Sequence, residues 1–274
     1  MSRKIPPDPA ATPIRIGTRL AIAVPPAGPL YEGHFPERPI LPGIGLLDLA
    51  CRALAAAGAS PALREIAALR LRRLVSPGES LELEVKALDP GGRVRLEVRR
   101  AAEIVASGVV VLGEPPPGPP RTAPIRSPRR AAAPSDLDEL LPQRPPMRFV
   151  EGIEAETDDG VTCAVRVPER SAFTEGGSAP ALVALEMAAQ STAVFEALRR
   201  SRKAEGRGAR IGYLVGARDV RFSRARVPAG ETLFAAVRLS GVAPPLSTYA
   251  FEVTDGSEVV ASGTVSTWLT AIDA

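Results

Sequence analysis

The chain has one histidine, His34, in the segment Gly33-His34-Phe35-Pro36-Glu37-Arg38-Pro39-Ile40-Leu41-Pro42-Gly43. Imidazole has an unperturbed pKa near neutrality, so a lone His before a tight Pro/Gly turn is a candidate proton carrier. An apolar run follows Pro42-Gly43 and contains a single carboxylate, Asp48. The run reads as a helix whose first backbone N–H groups lack intrahelical acceptors and can face an anion or a polarised oxygen. A base, an oxyanion-binding amide at Gly43 and an acid would then lie in one short stretch. A second carboxylate, Glu186, occupies a comparable apolar run, with Gln190 one helical turn later on the same face. Gln190 would either orient Glu186 or bond the backbone.

These residues need two elements to hold them. Ile44–Ala57 is apolar nearly all round, and Ala179–Arg200 is apolar for most of its length and then amphipathic. Helices apolar on all sides belong in a core. Between and after them come alternating segments rich in Val, Leu and Phe, separated by turn residues, which suit antiparallel pairing. A central helix wrapped by an antiparallel sheet satisfies both patterns, giving an α+β fold.

The pattern occurs twice. Arg72–Val85 reads strand, turn, strand and contains Gly78-Glu79-Ser80-Leu81; Phe222–Leu233 repeats it and ends in Gly230-Glu231-Thr232-Leu233. Val105-Ala106-Ser107-Gly108 matches Val260-Ala261-Ser262-Gly263, each leading into an apolar alternating segment, Val109–Leu112 and Thr264–Leu269. Such spacing indicates duplication of one unit, not a short-period solenoid. Residues 113–134, rich in Pro, Arg, Ala and Gly, cannot hold a regular helix or central strand and read as a semi-rigid linker between domains 1–112 and 135–274.

Bulk properties narrow the function classes. With 274 residues and 45% apolar content, two domains with real cores are affordable. The net charge is only +3, with Arg clusters at Arg70-Leu71-Arg72-Arg73, Arg129-Arg130 and Arg199-Arg200-Ser201-Arg202-Lys203. These read as solvated faces or as docking surfaces for an acidic partner. Aromatic content of 4% offers few stacking platforms, which disfavours a nucleic-acid role. Cys51 and Cys163 match no metal spacing, and with no signal peptide at the N-terminus they read as reduced thiols of a cytoplasmic protein. No uninterrupted apolar run reads as a membrane span.

The His34 segment resembles the active-site motif of 3-hydroxyacyl-acyl-carrier-protein dehydratases of the FabZ/FabA type, which have the hotdog fold. Leu140-Leu141-Pro142-Gln143-Arg144-Pro145-Pro146-Met147 is similar to that family's "LLPHRPP" segment, and Leu185-Glu186-Met187-Ala188-Ala189-Gln190 to its "IEAMAQ" helix. Within the family, the paired dehydratase-like proteins of aryl polyene pathways are the nearest likeness. The resemblance implies a double hotdog folded as an intramolecular pseudo-dimer, further homo-oligomerisation being left open. It also implies that each site takes its His from one hotdog and its acid from the helix of the other.

Spacing then distinguishes the two crossings. His34 and Asp48 are fourteen residues apart; fourteen before Glu186 stands Ala172, followed by Phe173 as His34 is by Phe35, and Pro180-Ala181 stands where Pro42-Gly43 does. The second half keeps a carboxylate and lacks the base. One composite site is expected, with His34 as base, Glu186 positioning or protonating the leaving hydroxyl, Gly43 N–H facing the thioester oxygen, and Gln190, Phe35 and Pro42 in support. Asp48 is either a second carboxylate or the structural partner of an Arg. The resemblance implies a substrate carried on the phosphopantetheine of an acidic acyl carrier protein or on CoA, with no metal or other cofactor. A hotdog thioesterase and a catalytically silent scaffold are the rival readings.

Overall fold

The computed structural model describes residues 14–35, 38–117, 137–202 and 210–271. Strand β1 (Arg19–Ala23) precedes helix α1 (Gly43–Ala56); β2 (Leu63–Leu71), β3 (Ser80–Leu88), β4 (Arg93–Arg100) and β5 (Glu103–Leu112) follow. The second half holds a one-turn helix α2 (Leu137–Leu140), β6 (Val150–Glu156), β7 (Gly160–Arg166), β8 (Ser178–Pro180) and helix α3 (Ala184–Arg202). It ends with β9 (Arg210–Phe222), β10 (Arg226–Pro228), β11 (Thr232–Ala243), β12 (Leu246–Thr254) and β13 (Val259–Ala271).

The strands follow the period of two that their sequences announce. On β3, Leu81, Leu83 and Val85 are buried, while Ser80 and Glu82 face outward or lie at the margin; β4 buries Val94, Leu96 and Val98 between charged neighbours. Each buried aliphatic side chain is worth about 1.5–3 kcal/mol against its exposed state. The two Gly-Glu-Ser/Thr-Leu repeats form equivalent turns, with Gly78 at φ +78° and Gly230 at φ +80°, a left-handed conformation that suits glycine. They lead into β3 and β11.

All strands but β8 and β10 join one sheet in the order β1-β3-β4-β5-β2-β9-β13-β12-β11-β7-β6. From the central β2–β9 seam the order reads outward as β2, β5, β4, β3 on one side and β9, β13, β12, β11 on the other, each copying the other's place in sequence. The seam itself pairs Glu65 with Arg221, Ile66 with Val220 and Leu69 with Ala217. Two helix-and-sheet units thus share one sheet, the double-hotdog pseudo-dimer that the resemblance implied. Buried side chains of α1, α3 and both halves of the sheet form one continuous cluster.

Three expectations need correction. The second long helix was expected from Ala179, but Ser178–Pro180 pairs with Arg226–Pro228 as a strand, Ala181–Val183 makes a 3-10 turn, and α3 starts at Ala184. Pro180, which has no N–H and lies at ψ 138°, sets that break. Second, Arg72–Val75 is not strand. The N–H groups of Arg72 and Arg73 both donate to Val105 O, at 2.8 and 3.3 Å, so the chain leaves the sheet there. It bends so that Val75 O can accept from Leu41 N at 2.8 Å, tying the His34 segment down. Third, Ala181–Arg202 is long and apolar enough by composition to cross a membrane, but 72% of that window is buried inside the protein, which accounts for its composition. Of the expected linker, residues 118–134 lie outside the described residues.

Candidate active site

His34 sits on the loop between β1 and α1. The loop is shaped by backbone bonds from His34 N to Tyr31 O (3.0 Å) and from Ile40 N to His34 O (3.3 Å). The ring is buried, and its Nδ1 lies 3.2 Å from Ile40 O. A carbonyl oxygen can only accept, so Nδ1 carries a proton, which in the neutral ring leaves the lone pair on Nε2. Phe35 stacks on the imidazole with ring centroids 4.4 Å apart.

The ring lines a cavity of about 60 Å³ together with Glu186 from the first turn of α3, so an imidazole and a carboxyl from different units meet in one cavity. Gly43, the first residue of α1, lines it too, with an N–H that has no acceptor one turn back in the helix. Pro42, at ψ 143°, sets the start of α1. The cavity also takes Leu71 and Arg73 from beside the β2 end, Gly212 and Tyr213 from β9, and Gln143 from the segment after α2. Tyr213 meets Phe35 edge-on at 6.3 Å.

Gln190 does both things expected of it. Its Nε2 donates to Glu186 Oε1 at 3.0 Å and to Met147 O at 2.7 Å; its Oε1 accepts from Phe149 N at 2.8 Å. It is fully buried with both ends engaged, and it fixes which oxygen of Glu186 is left for other partners, namely Oε2.

Asp48 belongs elsewhere. It lines a separate cavity of about 340 Å³ at the opposite crossing, with Cys51, Arg52, Pro180, Ala181 and Arg226 among its walls. The reading of Asp48 as a second carboxylate for His34 is therefore corrected in favour of the Arg partner: Arg52 Nε donates to Asp48 Oδ2 at 2.7 Å. The corresponding amide is also occupied, because Ala181 N donates to Ala225 O at 2.9 Å. With Ala172 in the histidine's place, this crossing lacks the base, has its carboxylate held by an arginine, and has its amide bonded within the protein.

Sequence reasoning missed Gln143, Arg73, Leu71 and the Gly212–Tyr213 pair. Gln143 had a signal, since it stands inside the recognised Leu140–Met147 segment. The β9 residues had none, because only the seam brings that strand to the other unit's loop.

Of the three Arg clusters, one lies beside the His34 cavity and one at the far end of α3. Arg70, Arg72 and Arg73 are exposed, and Arg73 lines the His34 cavity. Arg199 pairs with Glu196 at 3.2 Å and Arg202 with Glu156 at 3.0 Å, thirteen or more residues along α3 from Glu186, a distance of about 20 Å at the helical rise. Arg129-Arg130 lies outside the described residues. Among the described residues, no group of three or more His, Cys, Asp or Glu side chains is placed to hold a metal ion.

The profile of the ApeP dehydratases matches residues 135–273, just over half of the chain. The chain belongs to the ApeP-like dehydratase family. Residues 15–109 match a second dehydratase family, ApeI-like. Curated relatives are 3-hydroxyacyl-[acyl-carrier-protein] dehydratases FabZ. That of Anaeromyxobacter sp. (strain K) is 38% identical over 77 residues, 24% of this chain and 49% of its own. That of Jannaschia sp. (strain CCS1) is 32% identical over 109 residues, 33% of this chain and 68% of its own. The chain spans about half the length of most of the curated relatives it matches. Among solved structures, the dehydratase domain of the polyketide PpsC from Mycobacterium tuberculosis has TM-score 0.65 at 17% identity, over 93% of both chains. The dehydratase domain of RzxB from Pseudomonas fluorescens has TM-score 0.64 at 15% identity, over 92% of this chain and 94% of that one. These likenesses show the fold.

Proposed function

We propose that the chain removes water from 3-hydroxyacyl thioesters to give 2-enoyl thioesters, at one composite site per chain. The observation that carries this reading is the meeting of His34 and Glu186, from opposite units, in one cavity with the open end of α1. His34 Nε2 takes the proton from the carbon next to the carbonyl. The Gly43 N–H stabilises the charge that develops on the thioester oxygen. As the carbon–oxygen bond at the third carbon breaks, Glu186 Oε2 hands a proton to the departing hydroxyl, which leaves as water. Proton return from His34 to Glu186 through solvent resets the pair. General acid and base groups each contribute about 10²–10⁴-fold, and one aimed backbone donor about 10²–10³-fold. None of these steps calls on a metal or organic cofactor.

The substrate arm would be the phosphopantetheine of an acidic acyl carrier protein. Arg70 and Arg72, exposed beside Arg73 at the cavity, fit that docking face better than the helix-end arginines, two of which are paired with their own acids. The test is incubation with a 3-hydroxyacyl carrier substrate, following loss of one water by mass. His34→Ala should abolish the product. Thiol release that survives His34→Ala would instead favour a thioesterase, and inertness of the wild type would favour a scaffold.

A further inference from the structure

The cavity holds a group that the scheme above leaves idle. Gln143 lines it, is 6% exposed, and has a side-chain oxygen enclosed without a hydrogen-bond partner. An enclosed acceptor without a donor is costly, and buried polar atoms are ordinarily paired. The neighbouring polar groups follow that rule: Gln190 is bonded at both ends, and His34 Nδ1 bonds Ile40 O. Gln143 is not loosely held either. The next residue, Arg144, donates its N–H to Gly33 O at 3.0 Å, and its guanidinium donates to Leu141 O and Gln143 O at 2.6 and 2.9 Å. The backbone is thus clamped on both sides of a side chain whose acceptor is unused.

An acceptor of this kind calls for a donor that arrives with a ligand. A 3-hydroxyacyl thioester brings one such donor to the reacting carbons, its hydroxyl hydrogen. In the proposed reaction Nε2 of His34 addresses a carbon-bound proton and Glu186 addresses the hydroxyl oxygen, so neither takes the hydroxyl hydrogen. We infer that the side-chain carbonyl of Gln143 accepts the hydroxyl hydrogen of the substrate. This bond fixes rotation about the carbon–oxygen bond and turns an oxygen lone pair towards Glu186. Gln143 is then the residue that distinguishes a 3-hydroxyacyl group from the saturated chain. The inference rests on the dehydratase reading.

The test measures binding in the His34→Ala background, where the hydroxyacyl ligand is not consumed. The probes are 3-hydroxyacyl and saturated acyl pantetheine thioesters of equal length. Adding Gln143→Met should weaken the hydroxyacyl ligand about tenfold and leave the saturated one unchanged. Gln143→Glu, which retains an acceptor oxygen, should restore part of the preference. Because the Gln143 oxygen gives up no internal hydrogen bond, the Tm of the ligand-free Gln143→Met protein should equal or exceed that of its parent. Equal weakening of both thioesters would move the contact to the pantetheine amides and overturn the inference. Unchanged selectivity, or a lowered Tm with no change in selectivity, would make Gln143 structural. Wild-type turnover separates the two failures. If the wild type makes enoyl product and Gln143→Met keeps its selectivity, only this inference falls; if the wild type neither binds nor converts the hydroxyacyl thioester, the dehydratase reading falls with it.

Discussion

Asp48 and Glu186 occupy corresponding turns of the two central helices, and the residue four positions later decides what each can do. Arg52 reaches Asp48 with a charge-assisted bond at 2.7 Å, whereas Gln190 gives Glu186 a neutral amide at 3.0 Å. The Arg52 pair ties Asp48 to its own helix, whereas the Gln190 bond orients Glu186 in the cavity it shares with His34. Glu186→Gln should therefore lower kcat by about 10²–10⁴-fold while keeping the fold, and Asp48→Asn should leave kcat unchanged and cost no more than about 1 kcal/mol in urea unfolding. Loss of turnover in Asp48→Asn with retention in Glu186→Gln would reverse the assignment. The thiols give a second prediction at this scale. Burial, aided by Asp48, pushes Cys51 up to about 12; burial, partly offset by a hydrogen bond with Ser191, pushes Cys163 up to about 12. Both folded values lie above the unfolded value near 8.5, so the protonated thiols favour the folded state below about pH 8.5. That contribution is lost as pH rises from there towards 12, at up to about 1.4 kcal/mol per pH unit for each thiol. Tyr31 and Tyr249 shift in the same direction, so a difference measurement is needed. Between pH 8 and 10 the wild type should lose more unfolding free energy than a Cys51→Ala/Cys163→Ala double variant, and equal slopes would contradict the burial argument.

Among the elements, the His34 loop is held by contacts that only the folded pair of units supplies. Gly33 stands at φ +80°, and a Cβ there would lie 1.9 Å from Arg144 O, a backbone atom of the other unit. Gly33→Ala would force apart the loop that carries His34 and the segment that carries Gln143. The expected result is a Tm several degrees lower and kcat down by about 10²-fold, the scale of a displacement near 1 Å at a reacting centre. Gly17→Ala is the control: it shares the left-handed backbone, at φ +85°, but meets nothing within 4 Å. It should cost about 1–2 kcal/mol and spare kcat. These contacts mark the limit of what the sequence discloses. The repeated Gly-Glu-Ser/Thr-Leu turns, the period of two in β3, β4 and β11, and the apolar helices were readable because they are local. The break at Pro180 was misread because Ala179 looks helical by composition, while its pairing with Val227 is tertiary. His34, Glu186 and Gln190 were legible through spacing and likeness. Tyr213 and Arg73 were not, since their approach to His34 depends on the β2–β9 seam and on the chain leaving the sheet at Arg72.

For the molecule as a whole, duplication within one chain frees the two crossings to diverge. In a dimer of identical chains both sites would carry the same residues; here one brings together His34, Glu186 and the first amide of α1, and the other has Ala172, an Arg-bound Asp48 and an amide already bonded to Ala225. The continuous sheet makes the arrangement intramolecular, because β2 and β9 of the same chain pair at the seam and α1 and α3 share one buried cluster. Complementation between variants tests this directly. Purified His34→Ala and Glu186→Gln chains each lack one half of the proposed pair. If His34 and Glu186 of one chain share a cavity, mixing the two proteins leaves turnover at the level of the separate variants, at any concentration. If units exchanged between chains, one hybrid crossing in the mixture would regain both residues, and turnover would rise with time and concentration towards a fraction of the wild-type value. The expected outcome is no rescue, even after co-refolding at low concentration, where a chain meets its own second unit before another's. Rescue would show that the site is assembled between chains and that the seam forms between molecules.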